Sequence, residues 1–191
     1  MAIQLGMMLF FTIDNYIISN NFSPKDVVPY DTVTKIFQLP VMILFVALSP
    51  LWSMFAKDYV EKNRGRLLLS FRRFNRYFIL IVFFIFILYL ISPFIISIWI
   101  KEKLEIPENL ILWIAILTTF RIFKAFYGYF LNGVGKLSKF IFIIIISLLL
   151  KIPLTYFLIH LDFGIKSVTL STLFLMVLWV IFIPLECYNI V

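Results

Sequence analysis

The residues best able to do chemistry in this sequence are charges set inside long apolar runs. Arg121 and Lys124 stand three residues apart near the middle of one such run, so a helix places both on one face. Thr118, Gly128 and Asn132 continue roughly the same stripe. A charge at the centre of a bilayer costs about 2.5–3.5 kcal/mol on insertion scales, so two unpaired cations in one span cost about 5–7 kcal/mol. A hydrated cavity or an anionic ligand offsets that cost. Arginine stays charged and can clamp a phosphate through two parallel hydrogen bonds, and lysine adds a point charge. Such a pair points to anion binding. The alternative is a structural ion pair with an acid, and the sequence offers few acids at that depth.

Lys151 lies in a later run, two residues before Pro153. Proline there frees a backbone carbonyl and can kink the helix, which suits a moving cavity wall. The plainer reading is a lysine snorkelling to the nearer interface. Asp14 is the one acid well inside a run. It either pairs with a cation such as Lys35 or Arg121, or binds and releases a coupling proton or sodium ion. Lys35 and Asp31 fall near the outer end of their run, where they can simply mark its boundary. Pro40, Pro50 and Pro93 shape helices.

Nucleophilic and metal chemistry need other residues. His160 is the single histidine, at the end of a run, and suits an interface position. A zinc site needs three or four convergent ligands. Cys187 is the single cysteine and has no nearby base, so neither an intrachain disulfide nor a thiol nucleophile is expected. Gly133 and Gly135 lack the following Lys-Ser/Thr and the flanking strand of a phosphate loop, and read as a helix C-cap and tight turn. No enzyme, metal or cofactor is expected.

The elements that must position these charges follow from composition. Of 191 residues 63% are hydrophobic and 14% charged, where a soluble domain carries about a quarter charged. With 23 phenylalanines there is more apolar surface than one soluble core hides. The reading is an all-α, polytopic membrane protein, one six-helix bundle over residues 1–191, with spans at about 2–19, 30–56, 77–100, 109–131, 138–160 and 165–187, each near the ~20 residues that cross ~30 Å of hydrocarbon. Ser23-Pro24-Lys-Asp26 reads as an N-cap, a proline at N1 and an acid in the first turn leading into the second span. Residues 1–20 do not read as a signal peptide, because no basic segment precedes them and Asp14 interrupts them.

The net charge of +7 does not imply nucleic acid, because the basic residues cluster between apolar runs. Lys57, Lys62, Arg64, Arg66, Arg72, Arg73 and Arg76 share one loop, and Lys136 and Lys139 another; Lys25, Lys101, Lys103 and Lys166 fall on the other side. That bias places the first two loops, and both termini, in the cytoplasm. Within the first loop Leu67, Leu68 and Phe71 can share a helical face, with Arg66, Arg73 and Arg76 turned towards the other. That segment is expected either to lie on the inner leaflet, gaining about 1 kcal/mol per basic residue from anionic lipid, or to act only as a topological anchor.

Several segments together resemble one family. Thr12-Ile-Asp14-Asn-Tyr-Ile-Ile-Ser19 with the short loop to Tyr30, Ser49-Pro-Leu-Trp52 followed by Ala56 and the basic loop, and Leu131-Asn-Gly-Val-Gly-Lys136 resemble, in order and spacing, the C-terminal half of polysaccharide (O-antigen type) flippases. These belong to the multidrug/oligosaccharidyl-lipid/polysaccharide exporter superfamily. Pro29 departs from the small residue expected before the tyrosine. The resemblance implies one lobe of a MATE-like, two-lobed transporter of twelve to fourteen helices in the bacterial inner membrane, carrying an isoprenoid-diphosphate-linked oligosaccharide. It also implies that Arg121, Lys124 and Lys151 line a cationic cavity for the diphosphate; the reading of the residues themselves leaves Asp14 and Lys35 as coupling or structural charges. The missing N-terminal lobe, or a second copy, would complete the cavity. Two further readings stand beside it: a cation-coupled multidrug extruder, which favours acids in its site and has Asp14 as nearly its one candidate, and a non-transporting membrane remnant or assembly subunit.

Overall fold

The computed structural model describes residues 2–100 and 104–191. Lys101, Glu102 and Lys103, the first and last of which entered the orientation count, lie outside the described residues. The chain forms α1 (Ala2–Asn21), a 3-10 turn (Pro24–Asp26), α2 (Val27–Leu48), α3 (Leu51–Val60), α4 (Arg64–Trp99), α5 (Leu110–Val134), α6 (Ser138–His160) and α7 (Lys166–Ile190). Among the described residues there is no strand.

Five helical stretches are long and apolar enough to cross a membrane: Pro24–Val60, Arg64–Trp99, Leu110–Val134, Ser138–His160 and Lys166–Ile190. They correspond to the second to sixth expected spans. The first expected span is the helix α1, which packs against α2, α6 and α7.

Two boundaries differ from expectation. The second span divides into α2 and α3. Pro50, which has no N–H to donate, follows the end of α2 and stands at the N-cap of α3. The basic segment does not form a separate surface helix. It is the first third of α4, whose 36 residues reach about 54 Å against about 30 Å of hydrocarbon. Its apolar face is as expected, with Leu67 and Phe71 buried and Arg66, Arg73 and Arg76 exposed, but that face meets protein. The lead-in to α2 forms as expected: Pro24 opens the turn, and the Ser23 hydroxyl accepts the Lys25 backbone N–H at 3.2 Å.

Helix α5 is the centre, contacting α2, α3, α4 and α7. Apolar side chains gain little by leaving lipid for other apolar side chains, so close packing must hold such helices together. An aromatic block supplies it at the end of the bundle where α3 and α4 meet. The Phe74 and Phe126 rings stack at 3.8 Å, Phe71 lies 5.1 Å from Phe130, and Phe55 lies 5.5 Å from both Phe126 and Phe130. Each such pair contributes about 0.5–1.5 kcal/mol beyond its buried area. Gly133 lets α5 press on α3, since a Cβ there would stand 2.6 Å from the Trp52 carbonyl oxygen. Gly135, at φ +76°, ends α5 in the left-handed conformation, as its position predicts.

The surface is apolar and part of the interior is polar. Ile43, Val46, Ile79 and Leu149 are among the large side chains left outside. Asp14, Lys151, Thr155, Ser171 and Thr172 are inside. A bundle in lipid has that arrangement, because its polar groups must find partners within the protein.

Candidate functional site

The polar interior forms a seam between α1, α6 and α7. On α6, Ser147, Lys151 and Thr155 recur every four residues and share one face, and all three are buried. On α7, Ser167, Thr169, Ser171 and Thr172 are buried in the first two turns. Asp14 closes the seam from α1.

Lys151 Nζ lies 2.7 Å from Asp14 Oδ1, and the two side chains are 0% and 1% exposed. The ammonium also donates to the Val168 carbonyl at 3.2 Å and to the Thr172 hydroxyl. The ammonium, with three protons, thus has three oxygens around it: the paired carboxylate and these two acceptors. The Phe10 ring lies 5.2 Å away on a further side. Asp14 is held in turn by Tyr30, whose hydroxyl donates to Oδ2 at 2.9 Å. Thr155 donates to the Lys151 carbonyl at 2.7 Å, and its oxygen stands 2.7 Å from that of Ser171. Farther along α6, Trp179 Nε1 donates to the Ser147 hydroxyl at 2.6 Å.

The partner of Asp14 is thus Lys151, where the sequence suggested Lys35 or Arg121. Lys35 forms an exposed pair with Asp31 at 2.6 Å, one turn away on the same helix. Nor does Lys151 snorkel: its head group is inside the bundle. Tyr30, Thr155, Ser171 and Thr172 were not singled out as partners. The four-residue repeat on α6 and the hydroxyl cluster opening α7 were the signals that could have found them.

Arg121 and Lys124 have a different environment. Arg121 is partly buried, with its guanidinium carbon 4.4 Å from the centre of the Phe11 ring. Lys124 is 4% exposed; its Nζ stands 3.2 Å from the Met7 sulfur and 4.9 Å from the centre of the Trp179 ring system. A thioether is a weak acceptor and a ring face a weak anion substitute. Among the described residues neither cation has a carboxylate within ion-pair distance. A groove of about 410 Å³ runs past Lys124, between Met7 of α1, Phe45 of α2 and Phe140 of α6. Gly128, Tyr129 and Asn132 continue its α5 wall. Of the three cations expected to line a cavity, Lys124 is on this groove, Arg121 is one helical turn from Lys124, and Lys151 is in the sealed seam. Thr118, on the expected stripe, is buried with its hydroxyl bonded to the Ile114 carbonyl at 2.8 Å.

His160 is exposed at the end of α6, and Cys187 is buried with its sulfur 3.6 Å from the Tyr127 carbonyl.

A family model described as MatE matches residues 1–157. The chain belongs to the MatE family. MatE proteins are transporters of the multidrug/oligosaccharidyl-lipid/polysaccharide exporter superfamily and not enzymes, and together with the apolar helices this makes the chain a multi-pass membrane protein. The MatE match takes in Asp14, Arg121, Lys124 and Lys151. No curated protein and no solved structure matches the chain.

Proposed function

We propose that this MatE chain is the C-terminal, six-span lobe of a flippase that carries an isoprenoid-diphosphate-linked oligosaccharide across the bacterial inner membrane. In this reading α1 is the first span, both termini are cytoplasmic, and Arg121 and Lys124 attract the diphosphate. A second lobe, or a second copy, supplies the facing wall of the cavity.

The charge balance of the interior carries the reading. Asp14 is already matched by Lys151 at 2.7 Å. The charge left over is positive, on Arg121 and Lys124, and Lys124 stands on an open groove. Unmatched positive charge within the membrane suits an anionic cargo, since an anion would remove the cost of burying it. Lys151 then has a positioning role, holding α1 to α6 and α7 beside the groove. This departs from the expectation that it meets the cargo.

The test is export of the lipid-linked glycan by the complete two-lobed transporter. Replacing Arg121 and Lys124 together by glutamine is expected to abolish export while the protein remains at normal levels in the membrane. Undiminished export would reject the assignment.

The second reading, a cation-coupled multidrug extruder, is favoured by the buried Asp14–Tyr30 contact at 2.9 Å, since a carboxylate held inside the bundle is the group that could exchange a proton or sodium ion. Drug resistance conferred by the complete protein and lost with Asp14→Asn would support it over the first.

A further inference from the structure

A second groove runs along the stacked Phe74–Phe126 pair of the aromatic block, where the α2–α3 break meets α4. Leu44 and Leu48 precede the break, Leu51 and Met54 follow it, and together they form one wall. The other wall is a face of α4 on which Ser70, Arg73, Tyr77 and Ile81 recur at three- and four-residue steps. Phe126 of α5 lies at the base, and the groove encloses about 370 Å³.

The groove is graded along its length. Arg73 and Ser70 stand at the end nearer the polar segment; Ile81 lies about 12 Å farther along the helix axis, towards the membrane interior. Arg72 and Arg76 flank Arg73 on the exposed side of α4. Among the described residues none of these three arginines has a carboxylate within ion-pair distance, whereas Arg66, two turns away, is matched by Asp58 and Glu61 at 3.7 and 3.6 Å. A cluster of free guanidinium groups at the mouth of an apolar trough fits a molecule with a phosphate at one end and a hydrocarbon tail at the other.

We propose that this groove is a binding site for one anionic glycerophospholipid of the surrounding bilayer, its phosphate on Arg73 and one acyl chain between α2 and α4. The site is separate from the Lys124 groove and does not depend on which cargo the transporter carries. By filling the notch left at Pro50, the lipid braces α3 against α4 on the cytoplasmic side.

Native mass spectrometry of the purified full chain, with phosphatidylglycerol and phosphatidylcholine supplied equally, tests this. One phosphatidylglycerol should be retained in about fivefold preference, the contribution expected of one interfacial basic residue. Arg73→Gln should remove the preference. Arg64→Gln, which deletes one charge from the same segment outside the groove, should leave it intact. Leu48→Trp, which fills the trough, should lower retention with every arginine present. Soluble glycerol phosphate should not compete. The proposal falls if the preference survives Arg73→Gln, if Arg64→Gln lowers it equally, or if glycerol phosphate displaces the lipid, because the attraction would then be diffuse or confined to the headgroup.

Discussion

Lys151 of α6 and Asp14 of α1 meet at 2.7 Å with neither side chain open to its surroundings, and this contact ties α1 to the helix it packs on most closely. Removing one partner leaves the other charged and buried. Lys151→Met is therefore expected to destabilise the protein by about 3–5 kcal/mol, read as a large fall in unfolding temperature in detergent. The double variant Asp14→Asn/Lys151→Met should recover most of that loss, because an uncharged pair has no desolvation cost to repay. A double variant as unstable as the single one would show that the pair matters by shape and not by charge.

Lys124 gives the opposite expectation. It is as buried as the seam residues but has only a sulfur and ring faces around its ammonium. Lys124→Met should leave the unfolding temperature unchanged or raise it, while export by the complete transporter falls. Thermal unfolding and transport measured on one preparation separate a residue kept for cargo from one kept for the fold.

Tyr30→Phe deletes the hydroxyl that donates to Asp14 at 2.9 Å. A hydrogen bond to a charged group contributes about 1.5–3 kcal/mol, so a loss of that size is expected, smaller than the loss from Lys151→Met. Hydrogen exchange at the end of α1 should accelerate in the same variant.

Gly133→Leu puts a side chain where a Cβ alone would stand 2.6 Å from the Trp52 carbonyl. Overpacking of this kind costs about 1–3 kcal/mol and should part α3 from α5, read as faster proteolysis in the segment 49–63. Gly135→Ala tests a different property, since nothing lies within 4 Å of a Cβ there and only the left-handed backbone is strained.

The sequence made the helices legible because lipid forces a simple rule on them: runs of apolar residues long enough to cross, separated by polar segments. Spans beginning near residues 109, 138 and 165 fall within a residue of α5, α6 and α7. The rule failed where the chain leaves the hydrocarbon. No glycine or proline interrupts α4 between Gly65 and Pro93, so the helix runs straight through the boundary that charge suggested at residue 77. At the site, the face shared by Arg121 and Lys124 follows from their spacing alone. The partner of Asp14 does not. It depends on which rotation α1 adopts against α6 and α7, and that is set by packing such as Phe10 of α1 on Trp179 of α7, with ring centres 4.9 Å apart, which no helix specifies alone.

The link between Asp14 and Lys151 also sets an order of events during synthesis. Asp14 leaves the ribosome in α1, and four helices follow before α6 brings its counter-charge. Through that interval α1 carries an acid worth about 2.5–3.5 kcal/mol against insertion, before the lysine that pairs with it has been made. Among these helices α1 therefore settles against its neighbours only once α6 arrives.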